Sequence, residues 1–137
     1  MTGRTWHRWL LFAAAVVVGM GGALVVLALV GVPAVLMDVL YLPGEPDVAS
    51  ADTLSFAIGV TGSVMVGWGA SMLFVYVDPG MVQRPRVARA FFVGVVAWFV
   101  LDSLMSLALG AIINIVGNVL FAGLLVPPLA ALSSREG

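Results

Sequence analysis

Polar residues are so sparse along this chain that the gaps between them define its elements. Four stretches, 10–37, 53–77, 87–109 and 111–131, consist almost entirely of Val, Leu, Ala, Gly, Phe, Met and Ile. Each matches or exceeds the ~20 residues that a helix needs to cross a ~30 Å hydrocarbon core. In lipid the backbone must satisfy its own hydrogen bonds, so continuous apolar runs of this length form helices. The pattern predicts an all-α, integral membrane four-helix bundle, with 1–137 forming a single transmembrane domain. The intervening segments 38–52 and 78–86 are its loops.

Breakers refine the elements. The first run follows Arg4, His7 and Arg8, as in the charged region of a signal peptide. Its apolar part far exceeds the ~7–15 residues of such a peptide, which predicts an uncleaved anchor helix. Pro33 is expected to kink or end it. Asp52 suits the N-cap of the second span. Asp78-Pro79-Gly80 suits its end, and Pro85 the first turn of the third span. Pro127 and Pro128 are expected to weaken the last turn of the fourth. One helix over 87–131 would measure ~65 Å, twice the membrane. A tight antiparallel hairpin is therefore expected about Gly110, since glycine accepts the conformation that ends a helix.

The charges set an orientation. Arg4 and Arg8 precede span one, Arg84, Arg86 and Arg89 adjoin the loop between spans two and three, and Arg135 follows span four. The loop between spans one and two carries Asp38, Glu45, Asp47 and Asp52 and no basic residue. All six arginines therefore fall on one side of a four-span arrangement. The positive-inside rule makes that side cytoplasmic, with both termini inside. Trp6, Trp9 and Tyr41 lie where an aromatic interfacial belt is expected.

Composition narrows the chemistry. The chain has 137 residues, 62% hydrophobic and 9% charged, with net charge −1. Soluble domains carry about 25% charge, so the solvent here is lipid. No basic stripe suits nucleic acid. Cysteine is absent, which excludes thiolate catalysis and iron–sulfur ligation. The single histidine, His7, lies in the N-terminal tail. No enzyme motif, cofactor site or metal site is expected, and the all-arginine basic set hints at a prokaryotic inner-membrane protein.

Two sets of residues stand out inside the spans. In span two, Ser55, Gly59, Ser63, Gly67 and Ser71 recur every fourth position, and Gly19, with Ala15 and Ala23, does the same in span one. Such rows let helices approach closely, and are expected to pack within the bundle or against another copy. The second set is polar: Asp102, Ser106, Asn114 and Asn118. Asp102 is the only charged side chain in the interior of the spans; Arg89 stands two residues into the third. An acid at the bilayer centre costs roughly 2.5–3.5 kcal/mol on insertion scales, which makes it a functional-site hypothesis. Folding about Gly110 brings Asp102 level with Asn118 and Ser106 level with Asn114, the deeper pair ~12 Å below the turn. Gly59, Thr61, Gly62 and Ser63 lie at that depth, so a polar pocket in the outer half of the membrane is expected. No cation in the interior of the spans neutralises Asp102, which leaves a proton, a bound cation, water or a basic residue of a partner. Phe91, Phe92, Trp98 and Phe99 are read as packing or lipid-facing residues.

Two functions follow. One is a non-enzymatic membrane subunit, with lipids around it, that assembles as a homo-oligomer or with other membrane subunits. The other is a small proton or cation channel or transporter centred on Asp102, Ser106, Asn114, Asn118 and Ser63.

Overall fold

The structure, a computed structural model, describes residues 3–30, 51–108 and 111–134. These form four helices: α1 (Gly3–Val30), α2 (Ala51–Tyr76), α3 (Pro85–Ala108) and α4 (Ile112–Ser133). Each is long and apolar enough to span a membrane. Several expectations lie outside the described residues: the effect of Pro33, the loop up to Ser50, Tyr41, the turn residue Gly110, and Arg135. α1 begins at Gly3, seven residues before its apolar run, and so carries Arg4, His7 and Arg8 on the helix itself. α2 already includes Asp52, placing that residue in its first turn rather than ahead of it.

Between α2 and α3 the chain makes a short 3-10 turn, Pro79–Gln83. The Asp78 carboxylate accepts the Gly80 amide at 2.8 Å, so the helix stops where an Asp-Pro-Gly sequence supplies its own local acceptor. Pro85 opens α3, where its missing N–H is not needed. At the far end of α3 the Ala111 amide donates to the Ser106 carbonyl at 2.8 Å.

The bundle is built as two helix pairs. α1 lies closely along α2, and α3 along α4; α1 also packs on α4. Along the first pair the backbones nearly touch at glycines. A Cβ on Gly21 would stand 2.6 Å from the Gly62 carbonyl, and one on Gly62 equally close to the Gly21 carbonyl. A Cβ on Gly69 would stand 2.9 Å from the Ala14 carbonyl. The facing residues, Ala14 and Gly21 on α1 and Gly69 and Gly62 on α2, are seven apart on each helix.

Only part of the expected packing rows packs within the chain. Gly59 does face α1, with Ala28 beside it, and Ser55 is half-buried. Ser63, Gly67 and Ser71 are exposed, and Gly19 and Gly67 face open space within the chain. The reason is geometric. At about 100° per residue, a four-residue step drifts about 40°, so five such residues wind nearly halfway round the helix. A seven-residue step drifts only ~20° and stays on the seam.

The buried residues concentrate at the arginine-bearing end: Leu10 and Val17 of α1, Met72 and Tyr76 of α2, Leu129 and Leu132 of α4. Three side chains close that end by donating to backbone carbonyls of neighbouring helices. His7 Nε2 donates to Tyr76 O at 2.6 Å, and Arg89 Nη2 to Ser133 O at 3.3 Å. Trp9 Nε1 donates to Leu124 O at 3.0 Å. That carbonyl has no intrahelical donor four residues on, because residue 128 is proline. The indole fills the gap, and α4 runs on through Pro127 and Pro128 to Ser133 rather than fraying there.

Gly62→Ala is expected to cost about 1–3 kcal/mol by forcing α1 and α2 apart, seen as a lowered unfolding midpoint in detergent. Gly67→Ala, which meets nothing, is expected to be neutral or to stabilise by up to ~1 kcal/mol.

Candidate functional site

The polar residues of α3 and α4 meet in one cluster. Asn118 Nδ2 donates to Asp102 Oδ2 at 2.6 Å and to Ser103 Oγ at 3.2 Å. Asn114 Nδ2 donates to the same Oδ2 at 2.7 Å and to Ser106 Oγ at 2.8 Å. Ser106 Oγ in turn donates to the Asp102 carbonyl at 2.7 Å. Each amide nitrogen carries two hydrogens, and each hydrogen has its own acceptor. Ser106 and Asn118 are buried, and Asp102 is partly so.

The cluster treats the two carboxylate oxygens differently. Oδ2 receives both amides. Oδ1 receives no hydrogen bond from any described residue. Nor is Oδ1 sealed away: among the described residues, the one fully buried side-chain N or O atom without a partner is the Tyr76 hydroxyl. No described cation forms an ion pair with Asp102. His7, Arg4, Arg8 and Arg89 belong to the opposite end of the bundle, where His7 and Arg89 bond the ends of α2 and α4.

Asp102 forms part of the wall of a cavity of about 230 Å³ to which all four helices contribute. Val17 comes from α1, Thr61, Met65 and Trp68 from α2, Trp98 from α3, Phe121 and Leu125 from α4. The space exists because α2 and α3 are not packed closely together. They meet through large side chains instead: Trp68 and Trp98 pack edge to face with centroids 6.1 Å apart, and Tyr76 packs on Phe91 at 5.9 Å. Val60 and Val64, also on the cavity wall, are 46% and 63% exposed, so the cavity opens sideways through the bundle surface.

This geometry differs from the expected polar pocket. Asp102, Ser106, Asn114 and Asn118 come together, and Ser103, which the four-residue spacing passes over, joins them. Ser63 does not. It is exposed, and its hydroxyl donates to the Gly59 carbonyl at 2.9 Å. Thr61 takes its place on the cavity wall, with its hydroxyl donated to Ala57 O. The switch follows from Gly62, which must face Gly21 and so turns its two neighbours apart. Apart from Asp102 and Thr61, the lining is hydrocarbon and aromatic ring, with Trp98 lining the space rather than facing lipid alone. Among the described residues no cluster of His, Asp, Glu or Cys suits a metal ion.

The chain matches no known protein family model, no curated protein and no solved structure.

A double-mutant cycle pairing Asp102→Ala with Asn118→Ala is expected to give a coupling of about 0.6–1.7 kcal/mol, the range for hydrogen bonds between membrane helices. Asp102→Ala with Ser63→Ala is expected to give none. Unfolding of the purified protein in mixed micelles measures both.

Proposed function

We propose that this is a small, non-enzymatic multi-pass membrane protein that binds a proton or a cation at Asp102 and moves it across part of the bilayer. The observation that carries this reading is the asymmetry of the carboxylate. Oδ2 is fixed by two amides, Oδ1 receives no hydrogen bond from any described residue, and Asp102 lines a cavity shared by four helices. A group whose only task was to join α3 to α4 has no need of a charge, since amides and hydroxyls form such bonds without its desolvation cost. The absence of catalytic motifs supports a non-enzymatic role, as does the use of the one histidine to bond a helix end.

In this reading the arginine-bearing end, with Arg4, Arg8, Arg84, Arg86 and Arg89, faces the cytoplasm. α3 and α4 then form a hairpin whose turn faces outwards, with Asp102 in the outer half of a prokaryotic inner membrane. The tightly packed arginine end closes the path on the cytoplasmic side in this conformation.

A second reading, assembly into a homo-oligomer or with another membrane subunit, has its own support. Ser63, Gly67 and Ser71 lie exposed on α2, and their hydroxyls bond their own helix, as at Ser71 Oγ to Gly67 O at 2.8 Å. The row is therefore free to accept another helix. Gly67→Leu is expected to shift such an assembly towards monomer, measured by sedimentation in detergent, and to leave the Asp102 cavity untouched.

For the principal reading, Asp102→Asn keeps the size and most of the hydrogen bonds of the acid. It is expected to abolish pH-driven proton flux in proteoliposomes while the variant still elutes and melts like the parent protein. Undiminished flux in a folded Asp102→Asn protein rules Asp102 out.

A further inference from the structure

The chemistry of the cavity wall narrows what can accompany Asp102. A hard metal cation such as calcium or magnesium needs about six oxygen ligands. The cavity supplies one carboxylate and the Thr61 hydroxyl, whose hydrogen is already committed to Ala57 O. Bare inorganic ions are thus poorly served. A neutral apolar molecule suits the Val, Met, Phe and Leu surfaces, but would press hydrocarbon against a carboxylate oxygen and leave it unpaired. The two Trp rings remove neither objection. They do provide a surface for a weakly hydrated positive charge, since the indole face is the strongest cation–π partner among side chains.

We propose that this cavity binds a small lipophilic organic cation, an amine or quaternary ammonium with an apolar body, whose charge lies between Asp102 and the Trp68–Trp98 pair. The inference rests on the reading of Asp102 as a cation site and names the class of cation. The apolar body contacts Val17, Met65, Phe121 and Leu125. Size follows from the volume of about 230 Å³. Drug-sized sites begin at roughly 300 Å³, so the ligand is of single-ring or short-alkyl dimensions. The route follows from the opening beside Val60 and Val64, which faces the lipid-exposed side of the bundle. A lipophilic cation partitions into the membrane and enters from there, a route closed to a hydrated metal ion.

Three probes separate the contributions: benzyltrimethylammonium, its uncharged isostere neopentylbenzene, and sodium ion. Binding to the full-length protein in micelles is followed by tryptophan fluorescence and calorimetry. The wild-type protein is expected to prefer benzyltrimethylammonium over neopentylbenzene by at least about tenfold, the scale of a desolvated cation–π and carboxylate contact, and to show no response to sodium. Asp102→Asn is expected to remove that preference. Trp98→Leu, which leaves Asn114, Asn118 and Ser106 in place, is expected to weaken the cation several-fold and the isostere little; it decides the matter if Asp102→Asn does not fold. Equal binding of the two isosteres to wild type, binding of neither, or an unaltered preference in both variants overturns the inference. If proton flux remains Asp102-dependent in that case, the organic cation is wrong and the proton site stands. If flux is also independent of Asp102, both readings fail together.

Discussion

Lipid tails are as apolar as leucine, so burying hydrocarbon gives these helices no reason to prefer one another. Everything in the architecture depends on what replaces that drive. The exterior shows the problem: Phe74 is 86% exposed and Leu29 81%, with no penalty in an apolar solvent. Two replacements are visible, one for each helix pair. Between α1 and α2 the Gly21–Gly62 and Ala14–Gly69 contacts bring backbones close enough for dispersion to accumulate over many atoms. Between α3 and α4 the carboxylate of Asp102 gathers two amides.

The two solutions have different consequences. A glycine seam is chemically inert and has no use beyond packing. A carboxylate cannot be inert. An acid within an apolar span calls for a proton, a cation or water, a demand that the glycine seam does not make. The amides on Oδ2 fix the orientation of the carboxylate. Ser103 and Ser106 complete the arrangement by accepting the remaining amide hydrogens.

How the pairs join determines where space remains. α1 packs on α4, while α2 and α3 are held apart by Trp68, Trp98, Tyr76 and Phe91. At the arginine-bearing end the hydrogen bonds from His7, Trp9 and Arg89 draw the helices together and the core is dense. Towards the other end no comparable bonds between described residues join the pairs across the α2–α3 side, and the cavity beside Asp102 lies there. Trp9 shows how such an end is secured: its indole supplies the donor that Pro128 withholds from Leu124, so a proline that should break α4 instead anchors it to α1.

Much of this was legible in the residue pattern. Run lengths determined four helices, since hydrocarbon leaves a backbone no other solution, and the arginines marked one end. Counting positions along two adjoining antiparallel spans also set Asp102 beside Asn118, because helices with equal rise keep equal depth, and their side chains stand 2.6 Å apart. The helix faces were another matter. The spans are apolar all round, so no polar stripe says which side turns inwards. Of the many small residues, only the tertiary contacts selected Gly21, Gly62 and Gly69 over Gly19, Gly67 and Ser63, and so turned Ser63 away from the site and Thr61 towards it. The cavity belongs to no single helix; it is the space left where two helix pairs meet. The sequence placed an acid among amide partners, and the packing of the pairs set it on the wall of an apolar, tryptophan-lined cavity.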